Sequence, residues 1–316
     1  MTRVAVLKGG RSLERNVSLR SGARVEDALE RLGHEVVGID VGSDLVARLR
    51  DAGPDVAFVA LHGRDGEDGT VQELLELIGI PYTGSGVSAC VRCWDKVLAK
   101  HLMRDAGIPT PDFYAFNETA FKELGAAEAL PAIEERLAFP VVVKPAAQGS
   151  ALGIKFASSP AAVPGALVAA FSYDRKVLLE RHVAGRDLAV SLVDGEALPV
   201  VEAVPGASED FYDFEARYTI GRTRFQCPAA LSDAETAHAQ SLARAAWDLF
   251  GCRGFARVDL MREESGGDLF VLEVEAVPGL TETSLLPQAA EAGGVGFDEL
   301  IGRLVELALA GAPQAS

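Results

Sequence analysis

Over about residues 1 to 90 the chain alternates between two hydrophobic periods, and this narrows the possible folds more than any other feature. The apolar runs RVAVLKG, EVVGID and VAFVALHG have strand length. Between and after them come SLRSGARVEDALERLG, DLVARLRDAG and GTVQELLELIG, whose apolar residues recur at helical spacing. Strands separated by helices are joined by crossovers rather than tight turns, so the segment predicts an open parallel sheet covered by helices. Ligands of such sheets gather at the carboxyl ends of the strands. Glu14, in the loop after the first strand, and His62, at the end of the third, both fall there. A histidine alone in that position serves packing as readily as chemistry.

Beyond GIPYTGSG the pattern changes. A helix, WDKVLAKHLMRDAG, leads into IPTPDFYAF, where two prolines mark an extended passage into a new unit. FPVVVKPA and GIKFASS read as strands around a Gly-Ser loop, AAVPGALVAAFSYD as a helix and KVLLERHV as a strand. DLAVSLVDGEALPVVEA then reads as a hairpin about Asp-Gly. A long polar-aromatic loop, the helix DAETAHAQSLARAAWDLFG, a second hairpin and the amphipathic GFDELIGRLVELALAG follow. The expected division is 1–95, 96–185 and 186–316, in an α/β chain that is α+β overall.

The second hairpin, within GFARVDLMREESGGDLFVLEVEAVPGLTETSLLP, concentrates charge. Residues i and i+2 of a strand share a face, so Arg257 goes with Asp259 and Glu273 with Glu275. Folding the ribbon about Gly266 sets Asp259 opposite Glu273 and Arg257 opposite Glu275, although a slip of one residue would undo the shared face. Two carboxylates about 5 Å apart repel by roughly 3 kcal/mol at an effective dielectric of 20. One arginine does not offset three such groups. A solvated charged face is the plain alternative. In strands otherwise this apolar, a divalent cation held by oxygen ligands and shared with a substrate phosphate is the natural neutraliser, which points to a Mg-nucleotide site.

Composition limits the partners. The chain has 316 residues, 48% hydrophobic and 24% charged, enough for a large core. Its 30 basic and 46 acidic residues leave a net charge of −16, which argues against nucleic acid or an anionic membrane as the main partner. ATP needs only local positive charge and a metal. No apolar run approaches the roughly 20 residues of a membrane span. The start, MTRVAVLKGG, reads as a strand and a loop rather than a signal peptide, so a cytoplasmic protein is expected. Cys90 and Cys93 form a C-x-x-C without a second ligand pair, and with Cys227 and Cys252 are expected to be buried or partly buried thiols.

Other residues are candidates by position. Lys144 ends a strand before PAAQGSALG, where an ammonium and loop N–H groups can hold phosphate. This is not a Walker A loop, and KGGRSLERN does not match G-x-G-x-x-G. Glu180 ends an apolar strand and could frame an adenine, with Asp187 at the ribose. Thr283 or Ser284 would cap a helix starting near Leu285, and such an N-terminus suits a carboxylate. Tyr218 ends FYDFEARY, in a loop long enough to act as a lid.

Taken together, GGRSLERNVSL, ALHGRDGEDGTVQELLELIGIPYTGSG, DKVLAKHLM, VVVKPAAQGSALG, FYDFEARY, CPAAL, GFARVDLM and EVEAVPGLTETSLLP make the chain resemble the D-alanine–D-alanine ligases of the ATP-grasp superfamily, nearly end to end. The resemblance implies an N-terminal open parallel sheet followed by a two-part ATP-grasp fold. It implies that ATP phosphorylates the carboxylate of one D-alanine and that the amine of a second attacks the acyl phosphate, for peptidoglycan precursors. Lys96 and Lys144 would contact ATP phosphates, and Glu180 and Asp187 the adenine and ribose. Asp259, Glu273 and Glu275 would hold two Mg²⁺ or Mn²⁺ ions. Arg257 and the Gly279 N–H would stabilise the tetrahedral oxyanion. Glu14 would receive the first substrate's ammonium, with His62 nearby. Ser284 and the Leu285 N–H would take the second substrate's carboxylate, and Ser150 and Tyr218 would close a lid network with Glu14.

A homodimer is implied on the same ground. Three positions depart from the family pattern: Glu275 replaces an asparagine, Arg217 a nucleotide-contacting lysine, and Asp187 a glutamate. A ligase making D-alanyl-D-lactate or another D-dipeptide, and a non-catalytic ATP-binding regulator, are the alternatives. Tyr218 resembles the dipeptide-forming type, and the retained Lys144, Arg257, Asp259 and Glu273 argue for chemistry.

Overall fold

The computed structural model describes residues 1–125, 128, 130–205 and 223–311. The chain opens with β1 (Arg3–Lys8), α1 (Arg15–Arg31), β2 (Glu35–Asp40), α2 (Leu45–Ala52), β3 (Val56–Val59) and α3 (Thr70–Ile78). The strands form a parallel sheet in the order β2–β1–β3, as the alternating pattern predicts. Every residue of β3 is buried, because helices cover both faces. Leu45, Leu49, Val71 and Leu75 pack on one side.

Two short helices follow, α4 (Val87–Trp94) and α5 (Lys96–Asp105). Asp95 parts them with an extended ψ of 99°. Its carboxylate accepts the Val97 and Leu98 N–H groups at 2.9 and 3.0 Å, an N-cap that fixes where Lys96 begins the next helix.

The middle of the chain contributes β4 (Phe113–Asn117), α6 (Glu118–Glu123), α7 (Leu130–Glu134), β5 (Val141–Pro145), β6 (Lys155–Ala157), α8 (Val163–Phe171) and β7 (Lys176–Arg181). These strands form an antiparallel sheet in the order β4–β7–β5–β6. Val163, Leu167 and Ala170 of α8 pack against Val141, Val143 and Leu179, leaving the opposite sheet face for the site.

The last part holds β8 (Gly185–Val193), β9 (Glu196–Ala197), β10 (Val201–Pro205), β11 (Thr223–Gln226), α9 (Asp233–Phe250), β12 (Phe255–Glu263), β13 (Leu269–Glu275), α10 (Leu285–Ala292) and α11 (Phe297–Ala310). Its antiparallel sheet runs β11–β10–β8–β12–β13, with β9 paired to β8. A capping box between Ser232 and Glu235 starts α9. Trp247 and Phe250 of α9 pack under Val258, Leu260 and Val271. Each such side chain contributes roughly 1.5–3 kcal/mol by leaving water. Helices α10 and α11 return to the first sheet, where Leu286, Leu300 and Leu304 meet Val4, Val6 and Phe58.

The hairpin β12–β13 has the pairing that the sequence suggests near the acids: Arg257 lies opposite Glu275 and Asp259 opposite Glu273. It arrives there by a different route. Next to the turn, Met261 pairs with Phe270 and Arg262 with Leu269, a register that, continued, would put Leu272 opposite Asp259. A β-bulge between Asp259 and Leu260 takes up one residue of β13. Val271 and Val274 are buried while Leu272 and Glu273, adjacent in sequence, are both half-buried on the cleft side. The bulge therefore moves Glu273 and Glu275 onto the face of Arg257 and Asp259.

Among the described residues no helix is long and apolar enough to cross a membrane. All four cysteines are unpaired thiols; Cys90, Cys93 and Cys252 are buried and Cys227 partly so.

Candidate active site

The two antiparallel sheets face each other across a cavity of about 500 Å³, within the usual range for small-molecule sites. Lys144 and Glu180 line it from the four-stranded sheet, Asp187 and Glu273 from the six-stranded sheet, and Lys96 from the start of α5. The Lys96 ammonium lies 3.1 Å from Glu273 and donates to the Gln148 carbonyl at 2.8 Å. Burial opposes the charge of Lys96, but Glu273, with Glu275 and Glu67 behind it, raises the pKa. Glu180 sits between two lysines, hydrogen-bonded to Lys144 and 2.6 Å from Lys100. Burial would push Glu180 towards the neutral acid, yet these two ammonium groups hold its pKa low.

At one edge of the cavity the bulged hairpin presents Asp259, Glu273 and Glu275, each with a carboxylate oxygen within 4.8 Å of the others. Arg257, only 5% exposed, donates to both oxygens of Asp259 at 2.6 and 2.8 Å and lies 3.0 Å from Glu275. Burial alone would weaken its charge; Asp259 and Glu275 instead drive its pKa well above the ordinary value. Three carboxylates against Arg257 and Lys96 leave a local excess of one negative charge. Hard oxygen donors at this spacing fit a Mg²⁺- or Mn²⁺-type cation.

A second centre lies at the N-terminus of α1. Glu14 is buried, and Ser150 donates a hydrogen bond to its Oε1. Its Oε2 has no hydrogen-bond partner among the described residues. A Cβ on Gly63 or on Gly149 would lie 2.5 Å from that oxygen, so both positions need glycine for the carboxylate to fit. Burial first, then the charge of Glu67, push Glu14 up to about 8. Glu67 is likewise pushed up to about 8, by burial and then by Glu275. His62 lies 3.5 Å from Glu67 through Nδ1 and 2.9 Å from the Ser21 hydroxyl through Nε2, and burial lowers its pKa. Its ring nitrogens thus already face protein partners.

The loop after β13 bears Gly279 and Ser284. Ser284 occupies the N-cap position of α10, as expected, but its side chain makes no capping bond. Its Oγ accepts the Thr281 N–H at 3.0 Å and lies 2.9 Å from Thr281 Oγ1. A Cβ at Gly279 would fall 2.7 Å from that hydroxyl, so the loop closes tightly on itself. Leu285 begins α10 with its side chain buried. Arg217 and Tyr218 lie outside the described residues.

Several site residues escaped the sequence reading. Lys100, one turn after Lys96, is 1% exposed, and a lysine amid VLAKHLM is its only signal. Glu67 is one acid of the turn-like RDGED, indistinguishable there from a surface residue. Glu202 lines the cavity and holds Arg186, whose Nε donates to its Oε1 at 2.7 Å.

A parallel-sheet region followed by two antiparallel sheets that clasp such a cavity, with lysines on one wall and carboxylates at its edge, is the architecture of an ATP-grasp ligase. Family models described as the D-ala D-ala ligase C-terminus and N-terminus match residues 102–306 and 46–85. The chain belongs to the D-alanine–D-alanine ligase family. A D-alanine–D-alanine ligase of Syntrophotalea carbinolica is 45% identical over 303 residues, 96% of this chain and 95% of that one. Another, of Alcanivorax borkumensis, is 46% identical over 303 residues, 96% and 92% of the two chains. The crystal structure of the Bacillus anthracis D-alanine–D-alanine ligase complexed with ATP has a TM-score of 0.83 at 31% identity, covering 98% of each chain.

Proposed function

We propose that the cavity between the two antiparallel sheets is where this D-alanine–D-alanine ligase binds ATP, and that the acidic hairpin and the Glu14 centre hold the reacting groups. The observation that carries the reading is the set of three carboxylate oxygens, within 4.8 Å of one another, beside a cavity of nucleotide size. The γ-phosphoryl group moves to a carboxylate oxygen of the first D-alanine and ADP leaves. The amine of the second D-alanine, having lost a proton, attacks the acyl carbon. A C–N bond forms, the bond from the acyl carbon to the phosphate oxygen breaks, phosphate departs with the electron pair, and the nitrogen gives up its remaining extra proton to water.

Lys96 and Lys144 meet the phosphates, while Glu180 and Asp187 serve adenine and ribose. Lys144 exchanges its bond to Glu180 for phosphate, and Lys100 keeps Glu180 paired when it does. Asp259, Glu273 and Glu275 would hold two Mg²⁺ or Mn²⁺ ions, which supply positive charge to the transferring phosphoryl group. Glu275, where the family pattern has asparagine, adds a charge that tightens this binding. Glu14 receives the first ammonium at its unpartnered Oε2, with Ser150 fixing Oε1 and His62 close by. Arg257 and the Gly279 N–H face the developing oxyanion. Ser284 and the Leu285 N–H take the second substrate's carboxylate, which the absence of a side-chain cap at Ser284 supports. Arg217 adds charge near the nucleotide, and Tyr218 completes the lid network.

The same reading divides the chain into a substrate-binding unit (1–95), a central unit (96–185) and a catalytic unit (186–316). It places the enzyme in the cytoplasm as a homodimer. The test is phosphate release and product mass with ATP and Mg²⁺, with and without D-alanine. D-Alanine-dependent release with D-alanyl-D-alanine formed is expected; release indifferent to D-alanine, or none, overturns the reading.

A further inference from the structure

The loop that carries Gly279 follows directly on β13. It is held by α1, from the other end of the chain. The Leu280 N–H donates to the Ser21 hydroxyl at 3.2 Å, and the Arg24 guanidinium donates to the Leu280 carbonyl at 2.6 Å. Both polar groups of one peptide residue are therefore taken by side chains three apart on one helix face. Arg20, one turn before Arg24, lies 3.0 Å from Glu282. Ser21 is fully buried and also meets His62 Nε2 at 2.9 Å, so the strand-end histidine braces the same hydroxyl. Arg24 is fixed in turn by the Phe297 ring, 4.0 Å below its guanidinium carbon. The Leu280 side chain is buried among Phe255, Leu286 and Leu304.

We infer that Ser21 and Arg24 are positioning residues for acyl transfer, which clamp the Leu280 peptide so that the adjacent Gly279 N–H stays aimed at the oxyanion. The inference rests on the oxyanion role proposed for Gly279. Helix α1 then sets two positions at once. Glu14 at its N-terminus receives the first substrate's ammonium, and Ser21, seven residues or about 10 Å along the axis, fixes the loop beside that substrate's acyl carbon. A rigid helix holds the separation between ammonium and oxyanion donor better than two independent loops could.

The clamp acts on the second chemical step and leaves phosphoryl transfer alone, which makes it separable from a general loss of stability. The test uses the full chain with ATP, Mg²⁺ and D-alanine. Ser21→Ala and Arg24→Met are compared with the unsubstituted chain for dipeptide turnover and for positional isotope exchange in ATP, which reports reversible acyl-phosphate formation. Dipeptide turnover is expected to fall at least about tenfold, as oxyanion donors lose their aim. Exchange and the KM for ATP should stay within about twofold, and Arg24→Lys, which can still donate to the Leu280 carbonyl, should recover much of the rate. Should Ser21→Ala fail to fold, Arg24→Met decides the matter, because Arg24 lies partly at the surface. Exchange and turnover falling in proportion, or turnover unchanged in a folded variant, overturns the clamp alone. An unsubstituted chain with neither D-alanine-dependent exchange nor dipeptide overturns the reading of the site, and this inference with it.

Discussion

Glu14 should release a proton when D-alanine binds. Its carboxyl is moved from 4.5 to about 8, chiefly by burial and then by Glu67. Keeping it neutral across that span corresponds to about 5 kcal/mol at roughly 1.4 kcal/mol per pH unit. The folded chain keeps this proton where the unfolded chain has lost it. The contribution to stability is therefore complete below pH 4.5 and is lost as pH rises through about 8. An ammonium at the unpartnered Oε2 needs the carboxylate, so binding at pH 7 should expel about 0.9 proton. The affinity for the first D-alanine should weaken about tenfold for each pH unit below 8 and level off above it. Calorimetric titration in two buffers of different ionisation heat counts the protons. Glu14→Gln should abolish both the release and the binding, while melting several degrees above the unsubstituted chain at pH 8 to 9. D-Alanine binding at pH 7 without proton release, and with an affinity flat from pH 6 to 9, would refute the reasoning.

Three further outcomes follow from neighbouring contacts. Glu67→Gln removes a charge that raises the Glu14 pKa, so the midpoint of D-alanine-linked proton release should move to lower pH in the same calorimetric experiment. Glu275→Asn should weaken Mn²⁺ binding by about tenfold or more, read by electron paramagnetic resonance of free Mn²⁺, because one of three charged ligands is lost; unchanged affinity and turnover would remove Glu275 from the proposed metal set. Lys100→Met leaves Lys144 as the remaining cation on Glu180 and so holds it back from phosphate; the KM for ATP should rise several-fold with little change in the KM for D-alanine.

Much of this was legible in residue order, and the gaps have physical causes. The period switching of residues 1 to 90 prescribed a parallel sheet because β1 and β3 are apolar on both faces, and the sheet is there. The acids of 259, 273 and 275 could be assigned to one face, yet the bulge that puts them there shows in the sequence only as Leu272 next to Glu273, a break in alternation. The helix expected from Trp94 onward starts at Lys96, because the short carboxylate of Asp95 caps it, and the preceding α4, which ends at Trp94, was not expected. Lys100 and Glu67 were invisible because the surroundings of a buried charge come from groups distant in the chain, Glu180 for one and Glu275, Lys96 and Arg257 for the other. Ser21 and Arg24 read as ordinary positions of an amphipathic helix, since nothing local marks a contact to a loop about 260 residues away.

The single extra residue in β13 also reaches the neighbouring cavity. Leu272 lines the space assigned to the nucleotide, while Glu273 beside it completes the carboxylate set. One insertion thus adds a greasy wall beside a charged ledge, on an edge strand whose central neighbour β12 is already locked by β8. Losing that residue would let Glu273 follow Val271 directly and still face Asp259, so a descendant with one deleted codon would keep its metal ledge and its shape while losing part of the wall against the nucleotide.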